Sequence, residues 1–395
     1  MKRILFVDDE SRILDGIRRM MRADRNRWDM QFAVGGDAAL QACEQARFDV
    51  VISDMKMPGM DGATLLAKIR DRFPGTVRII LSGYSEVTLT TRAVPVAHRY
   101  LAKPCDATEL RSTIERMCDL QEIIPSPEIR NFVTAIGELP SPSSSYEALT
   151  AAVRGPSVSV EGVTKIIEQD VAMSAKVLQL VNSAFFGLAK PLANVQSAVG
   201  YLGLETVKSL ASESEAFRVF VPDPRIDAGV CEAIQQHAQR TAAIAAVLPV
   251  DSQIKEVVVL AALLHDIGRF VLASRMPDQF CSTQRWSAEH KCEPFEAEEE
   301  LLGTSHAEIG AYLLGLWGIP NAAIEAIGHH HRPTRIPHTG LDVTVAVYVA
   351  DLLAHEGSAV TDLRESDRKC LEELGILSEL ADFRRLARQA RAATA

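Results

Sequence analysis

The sequence predicts a chain of two unlike parts, α/β followed by all-α: a doubly wound, five-stranded parallel domain and then an all-helical one. Three observations predict this. Short runs rich in Val, Ile and Leu alternate with helically spaced stretches over the first ~120 residues, the pattern of βα units around a covered sheet. From Tyr146 onward apolar residues recur at helical spacing almost without interruption. At 395 residues the chain exceeds one ordinary core and calls for two or three domains.

Taken in order, the strands are expected at residues 4–7 ("ILFV"), 49–53 ("DVVIS"), 78–82 ("RIILS") and 99–103 ("RYLAK"), with a weaker one at 30–34 ("MQFAV"). Helical spacing lies between them, as at Leu65, Leu66 and Ile69. Asp8, Asp9, Asp54, Ser82 and Lys103 each fall at or just past the end of a strand. In an open α/β sheet those ends converge on one crevice. Three carboxylates there would repel one another unless a hard cation sat among them, and Mg²⁺ takes oxygen ligands. A lysine and a hydroxyl opposite can hold the oxygens of a phosphoryl group, so the pattern points to phosphoryl transfer onto a carboxylate.

A helix from about residue 108 to 120 closes this part. Two prolines follow, and Ser126 and Pro127 have the types of an N-cap and a first helical position, with Ile129, Phe132, Val133 and Ile136 at i, i+3, i+4 and i+7. "LPSPSSS" (139–145) has linker composition, yet is read as a tight turn at the entrance of the second domain because of the resemblance described below. Ile166, Ile167, Val171, Val177, Leu178 and Val181 mark one helical region and residues 257–264 another, while helical context overrules a weak alternation at 343–349. The segment 361–395, with Leu371, Leu374, Ile376, Leu377 and Leu380, is expected as one or two helices packed on the domain before it.

Polar residues at apolar positions form a second constellation. They are His237, His265 with Asp266, His306, the run His329, His330 and His331, and Asp351. Imidazoles and carboxylates from five segments suit Fe, Mn or another transition metal, and two such ions close together would activate water. His265 and Asp266, about 100° apart on a helix, could serve different ions.

The net charge of −10 provides no overall basic field for nucleic acid or an anionic membrane. Seven cysteines with no CxxC pair indicate reduced thiols in a cytoplasmic protein. Acids interrupt the first apolar run, and no apolar run reads as long enough to span a bilayer.

"VDDE", "ISDMKMPGMDG", "LSGYS" and "RYLAKP" closely resemble the receiver domains of two-component response regulators. The resemblance implies that Asp54 accepts phosphate from a histidine kinase. It also implies that Mg²⁺ is held by Asp8, Asp9, Asp54 and the Lys56 carbonyl, that Ser82 senses the phosphoryl group beside the invariant Lys103, and that Tyr100 changes rotamer.

Downstream, "LPSPSSSYEAL", "IIEQDVAMSAKVLQLVNSAFFG", "SAVGYLGLETVKSL", "LLHDIGRFVL", "SHAEIGAYLLGLWGIP" and "HHRP" resemble the HDOD domain, an output relative of the HD metal-dependent phosphohydrolases. Val171 stands where that family usually has proline. The chain has a residue at each HD ligand position: His237, His265, Asp266, His306, His330 or His331, and Asp351. It lacks the signature of the cyclic-di-GMP phosphodiesterases, with Arg332 in place of a glutamate, Arg269 in place of a lysine, and no GYP. The resemblance implies an output acting by protein contacts, on downstream signalling proteins or by self-association. The alternative is a receiver-gated phosphohydrolase using a binuclear HD site; a DNA-binding output lacks a basic recognition helix. Expected boundaries are a receiver at 1–121, a connecting helix at 122–140, the HDOD domain at 141–355 and C-terminal helices at 356–395.

Overall fold

A computed structural model describes all residues except 84–95, 138, 140, 142, 155–158, 183–190, 214–222, 228, 356–362 and 395. Five strands, β1 (Lys2–Asp8), β2 (Trp28–Val34), β3 (Val50–Asp54), β4 (Val77–Gly83) and β5 (Arg99–Lys103), form one parallel sheet in the order β2-β1-β3-β4-β5. Each expected strand is present: β1, β2 and β4 extend beyond the expected bounds, β3 is shifted by one residue and β5 matches. The order reverses between β1 and β3, where a crevice opens beyond the strand ends.

Alternation along β1 shows why the sheet is covered on both faces. Ile4 and Phe6 enter one apolar core, Leu5 and Val7 the other. The first core is continuous with the interior of the helical domain: Ile114 and Met117 of the helix Ala107–Leu120 and Val133 of the helix Pro127–Ala135 share it with Leu313 and Leu316. Asp106 caps the first of these helices through the Thr108 and Glu109 amides, and Ser126 caps the second with Pro127 at its first turn, as the sequence predicts.

Leu139 and Ser141 are buried, and Ser141 Oγ donates to Asp170 Oδ1 at 3.3 Å, so this entrance is anchored. Asp170 itself caps the helix Val171–Val181. Asn182 clamps Leu192 in both directions, at 2.7 and 2.9 Å, while its sequence neighbour Ser183 lies outside the described residues. Residues 343–349 are helical, within Val343–His355. The C-terminal part folds as Glu365–Glu373 and Leu380–Thr394, burying Leu371 and Phe383. All seven cysteines are unpaired.

Two findings correct the sequence reading. The stretch Lys255–Arg275 is long and apolar enough to cross a membrane by length and composition, but most of it is buried inside the helical core. It is also not continuous: the helix Lys255–Leu264 stops, and Ile267–Arg275 starts anew after His265 and Asp266. The pair thus occupies a break rather than a helix middle, and its two side chains enter different groups of polar residues.

Two glycines allow the close approaches that the polar groups need. A Cβ on Gly62 would lie 2.2 Å from the Asp54 carbonyl oxygen, so only glycine lets the following helix start beneath that residue. A Cβ on Gly268 would lie 1.9 Å from the His306 carbonyl oxygen, so the helices carrying Asp266 and His306 touch backbone to backbone.

Candidate functional site

The crevice beyond the strand ends holds the acids of the first constellation. Asp8 ends β1, Asp54 ends β3 and Lys103 ends β5. Lys103 Nζ donates to Asp8 Oδ2 at 2.9 Å and closely contacts Asp54 Oδ1, tying the three strands together. Asp54 Oδ2 accepts the Lys56 amide at 2.8 Å, and Asp8 Oδ1 accepts that of Glu10 at 2.9 Å. Burial raises the Asp54 pKa, against the opposing pull of Lys103. For Lys103 burial pulls down, but the hydrogen bonds it donates to Asp54 and Asp8 outweigh it and leave the ammonium more firmly protonated. Asp9 is half-buried at the same edge, and Ser82 is buried at the end of β4. Tyr100 faces the core, and its buried hydroxyl has no hydrogen-bond partner among the described residues.

The second constellation also converges. His237 comes from the helix Val230–Val247, His265 and Asp266 from the break, and His306 from the first position of the helix His306–Leu316, which Ser305 and Glu308 start with a capping box. His330 and His331 follow the helix Asn321–His329, and Asp351 lies on Val343–His355. Their ligand atoms fall into two groups, His237 with His265 and Asp351, and Asp266 with His306, His330 and His331. The neighbouring His265 and Asp266 are thus divided between the groups. Of the three consecutive histidines, His330 and His331 turn inward, and His329 belongs to neither group.

The imidazoles are held as ligands are held. Nδ1 of His265 lies 2.8 Å from the Ala262 carbonyl and Nδ1 of His330 2.7 Å from that of Ile327, so both rings donate a proton there and turn Nε2 inward. The Nε2 of His330 is buried with no hydrogen-bond partner among the described residues. His306 is set by Glu298, which is buried and accepts both its amide and its Nδ1–H at 2.7 Å. Nε2 of His306 faces Nε2 of His331 at 2.8 Å, and those of His237 and His265 stand 3.2 Å apart. Two imidazole lone pairs this close repel unless a cation lies between them: a proton in the bare protein, or a metal ion that replaces it.

The electrostatics agree. Burial alone would raise Asp266, yet His265, Arg269 and His306 hold it well below the usual carboxylate range; hydrogen bonds from His237, His265 and His355 do the same for Asp351. Burial opposes charge on His306, but Glu298 and Asp266 push it up to about 9. His330 is pushed down to about 3 by burial and by His265 and His306, leaving a neutral donor of electrons. The donor set fits a pair of transition ions. A cavity of about 400 Å³ opens onto Asp266, His306, His331 and Asp351 and is also lined by Phe295, Arg269 and Arg364.

Against known families, residues 4–115 match the response regulator receiver domain and residues 139–333 the HDOD domain. The chain is a receiver–HDOD response regulator. Among curated relatives, an uncharacterized protein of Treponema pallidum is 27% identical over 62% of this chain and 47% of its own. The regulatory protein AtoC of Escherichia coli is 34% identical over 34% of this chain and 28% of its own. The chain therefore spans less than half the length of either. A solved structure of the MmoQ response regulator from Methylococcus capsulatus is 24% identical, over 59% of this chain and 91% of that one, with a TM-score of 0.47.

Two residues of the HDOD cluster escaped the sequence reading. His355 stands one helical turn beyond Asp351, its Nδ1 3.1 Å from Asp351 Oδ1, a spacing that was legible in principle. Glu298 lies eight positions before His306 across a helix boundary, and no local signal marks it. Arg269 pairs with Asp266 at 3.1 Å, and Arg332 with Glu299 at 2.7 Å.

Proposed function

We propose that this response regulator accepts a phosphoryl group on Asp54 from a histidine kinase and passes the change to its HDOD domain, which acts in the cytoplasm by protein contacts with downstream signalling proteins or a second copy. The observation that carries this is the Lys103 ammonium bridging Asp8 and Asp54 at the strand ends. Lys103 orients one Asp54 oxygen and the Lys56 amide the other. An oxygen of Asp54 forms the new P–O bond as the P–N bond of the phosphohistidine breaks and its electron pair returns to the imidazole. Mg²⁺ on Asp8, Asp9, Asp54 and the Lys56 carbonyl would neutralise charge on the transferred group. Ser82 and Lys103 would receive its other oxygens, and Tyr100 would be the aromatic that responds. The unit boundaries follow as 1–121, 122–140, 141–355 and 356–395. Acetyl phosphate should label the wild type and not Asp54→Asn; labelling that persists in the variant overturns the assignment.

In the HDOD domain, His237, His265 and Asp351 would hold one Fe, Mn or other transition ion and Asp266, His306, His330 and His331 another. Bound there, such ions supply Lewis acidity and fix the packing of five helical segments. Elemental mass spectrometry of protein purified without chelators should find about two ions per chain. One observation supports a second reading, a receiver-gated phosphohydrolase: the cavity opens directly onto members of both groups. That reading requires phosphoester hydrolysis that disappears in Asp266→Ala with the fold intact.

A further inference from the structure

Receiver and HDOD domain meet on one helix. His306–Leu316 begins at a residue of the metal cluster and, about 9 Å along its axis, presents Tyr312, which is fully buried. The Tyr312 hydroxyl lies 2.6 Å from Thr134 Oγ1 in the connecting helix. The threonine proton is directed to the Arg130 carbonyl at 2.7 Å, so the tyrosine donates. The carbonyl of the same Thr134 accepts from two receiver side chains, Arg78 Nη2 at 3.0 Å and His98 Nε2 at 2.8 Å.

Arg78 lies on β4, opposite Val51 of the strand that ends in Asp54. Its guanidinium is fully buried and is satisfied by carbonyls: Val96 at 2.6 Å, Thr76 at 3.0 Å and Thr134. Val96 is where the chain returns to β5 from the segment that follows Ser82. A second grip holds the far end of the same helix. Arg116 donates to the Ile319 carbonyl at 2.8 Å, and Arg99 stands where a Cβ on Gly318 would lie 1.8 Å from its Nη1. At the metal end the helix meets the segment carrying Asp266 backbone to backbone, at Gly268.

The geometry points to the helix His306–Leu316 as a rigid link through which the phosphorylation state of Asp54 and the metal affinity of the HDOD cluster bias one another, with the Tyr312–Thr134 contact as its joint. This rests on the two readings proposed above. Engagement of a phosphoryl group by Ser82 and Lys103 shifts the ends of the paired strands β4 and β5, and Arg78 of β4, which holds Val96 and Thr134 with one guanidinium, carries the shift to Tyr312. A shift of that helix changes where His306 stands relative to Asp266, now 3.2 Å apart. Coupling of this kind is reciprocal by thermodynamic necessity.

The test uses full-length protein in excess Mg²⁺, titrated with Co²⁺ and followed by the visible absorption of imidazole-bound cobalt, with and without acetyl phosphate. Acetyl phosphate should change the Co²⁺ dissociation constant of the wild type by about fivefold or more and leave that of Asp54→Asn unchanged. In Tyr312→Phe and Thr134→Val the change should collapse, while Thr134→Ser, which keeps the hydroxyl, should retain it even where the other variants fold poorly. Cobalt that binds with no response to acetyl phosphate overturns the coupling and leaves the metal reading standing. A full response in both Tyr312→Phe and Thr134→Val, or its loss in Thr134→Ser, overturns the joint. Failure of the wild type to take up cobalt overturns the metal reading and the coupling with it.

Discussion

The two polar centres of this chain are built in opposite ways. In the receiver, carboxylates from separate strand ends are balanced by one lysine whose flexible stem reaches across them, and the site lies at an open edge. In the HDOD domain the cluster is sunk among helices, and backbone or carboxylate acceptors fix the imidazoles His265, His306 and His330. The difference teaches what each centre can release. An edge site with a movable cation suits ligands that come and go, such as Mg²⁺ and a phosphoryl group, because little need rearrange when they exchange. A cluster whose rings are already oriented has lost that freedom during folding, and it favours ions that stay.

Replacing the acceptor should break the comparison most severely. Asp54→Asn should abolish labelling by acetyl phosphate, read by phosphate-affinity electrophoresis, while leaving the metal content of the HDOD domain unchanged. Next in size is Glu298→Gln. Loss of the carboxylate that orients His306 should weaken transition-metal affinity by about 10–100-fold, read by competition with a chelator of known affinity. Unchanged affinity would mean that Glu298 only fills space. Gly268→Ala acts on both helices at once: the added methyl meets the His306 backbone, and overpacking of this kind costs about 1–3 kcal/mol or more. Urea melts should show the loss in midpoint, with metal content falling alongside.

The smallest expected effect is a pH dependence at the joint between the domains. Burial, with Arg78 adding to it, holds the His98 pKa well below its ordinary 6.5. Its Nδ1 accepts the Arg78 amide and its Nε2–H donates to Thr134, a role only the neutral ring can fill. The contribution of this group is complete above the unfolded value and declines as pH falls below it, because the unfolded chain then binds a proton that the folded one does not. Stability of the wild type relative to His98→Gln should therefore fall by up to about 1.4 kcal/mol per pH unit below 6.5. Parallel pH profiles for the two proteins would show that His98 titrates freely.

Legibility differed between the centres for a topological reason. Every parallel strand delivers its last residue to the same edge, so Asp8, Asp54 and Lys103 could be brought together from strand ends alone. A helical bundle has no such rule. The HD-type ligands were visible as polar residues at apolar positions, but Glu298 was not, since its partner lies across a helix boundary. The break at His265 and Asp266 was read through as helix because its neighbours are strongly apolar on both sides. Arg78 looked like the start of a strand and proved to be a buried bridge to Thr134.

Sequence alone thus determined the α/β and all-α parts, the acidic sheet edge with its lysine and the residue types of the cluster. These depend on local periodicity and on a topology that leaves few choices. Only the tertiary structure decided which histidines fall in the same group, that Asp266 and His265 divide between the two groups, that Glu298 and His355 join them, and that one helix links Tyr312 to His306. Those outcomes depend on how helices distant in sequence pack face to face, and side-chain periodicity along one helix carries no record of the helix that will meet it.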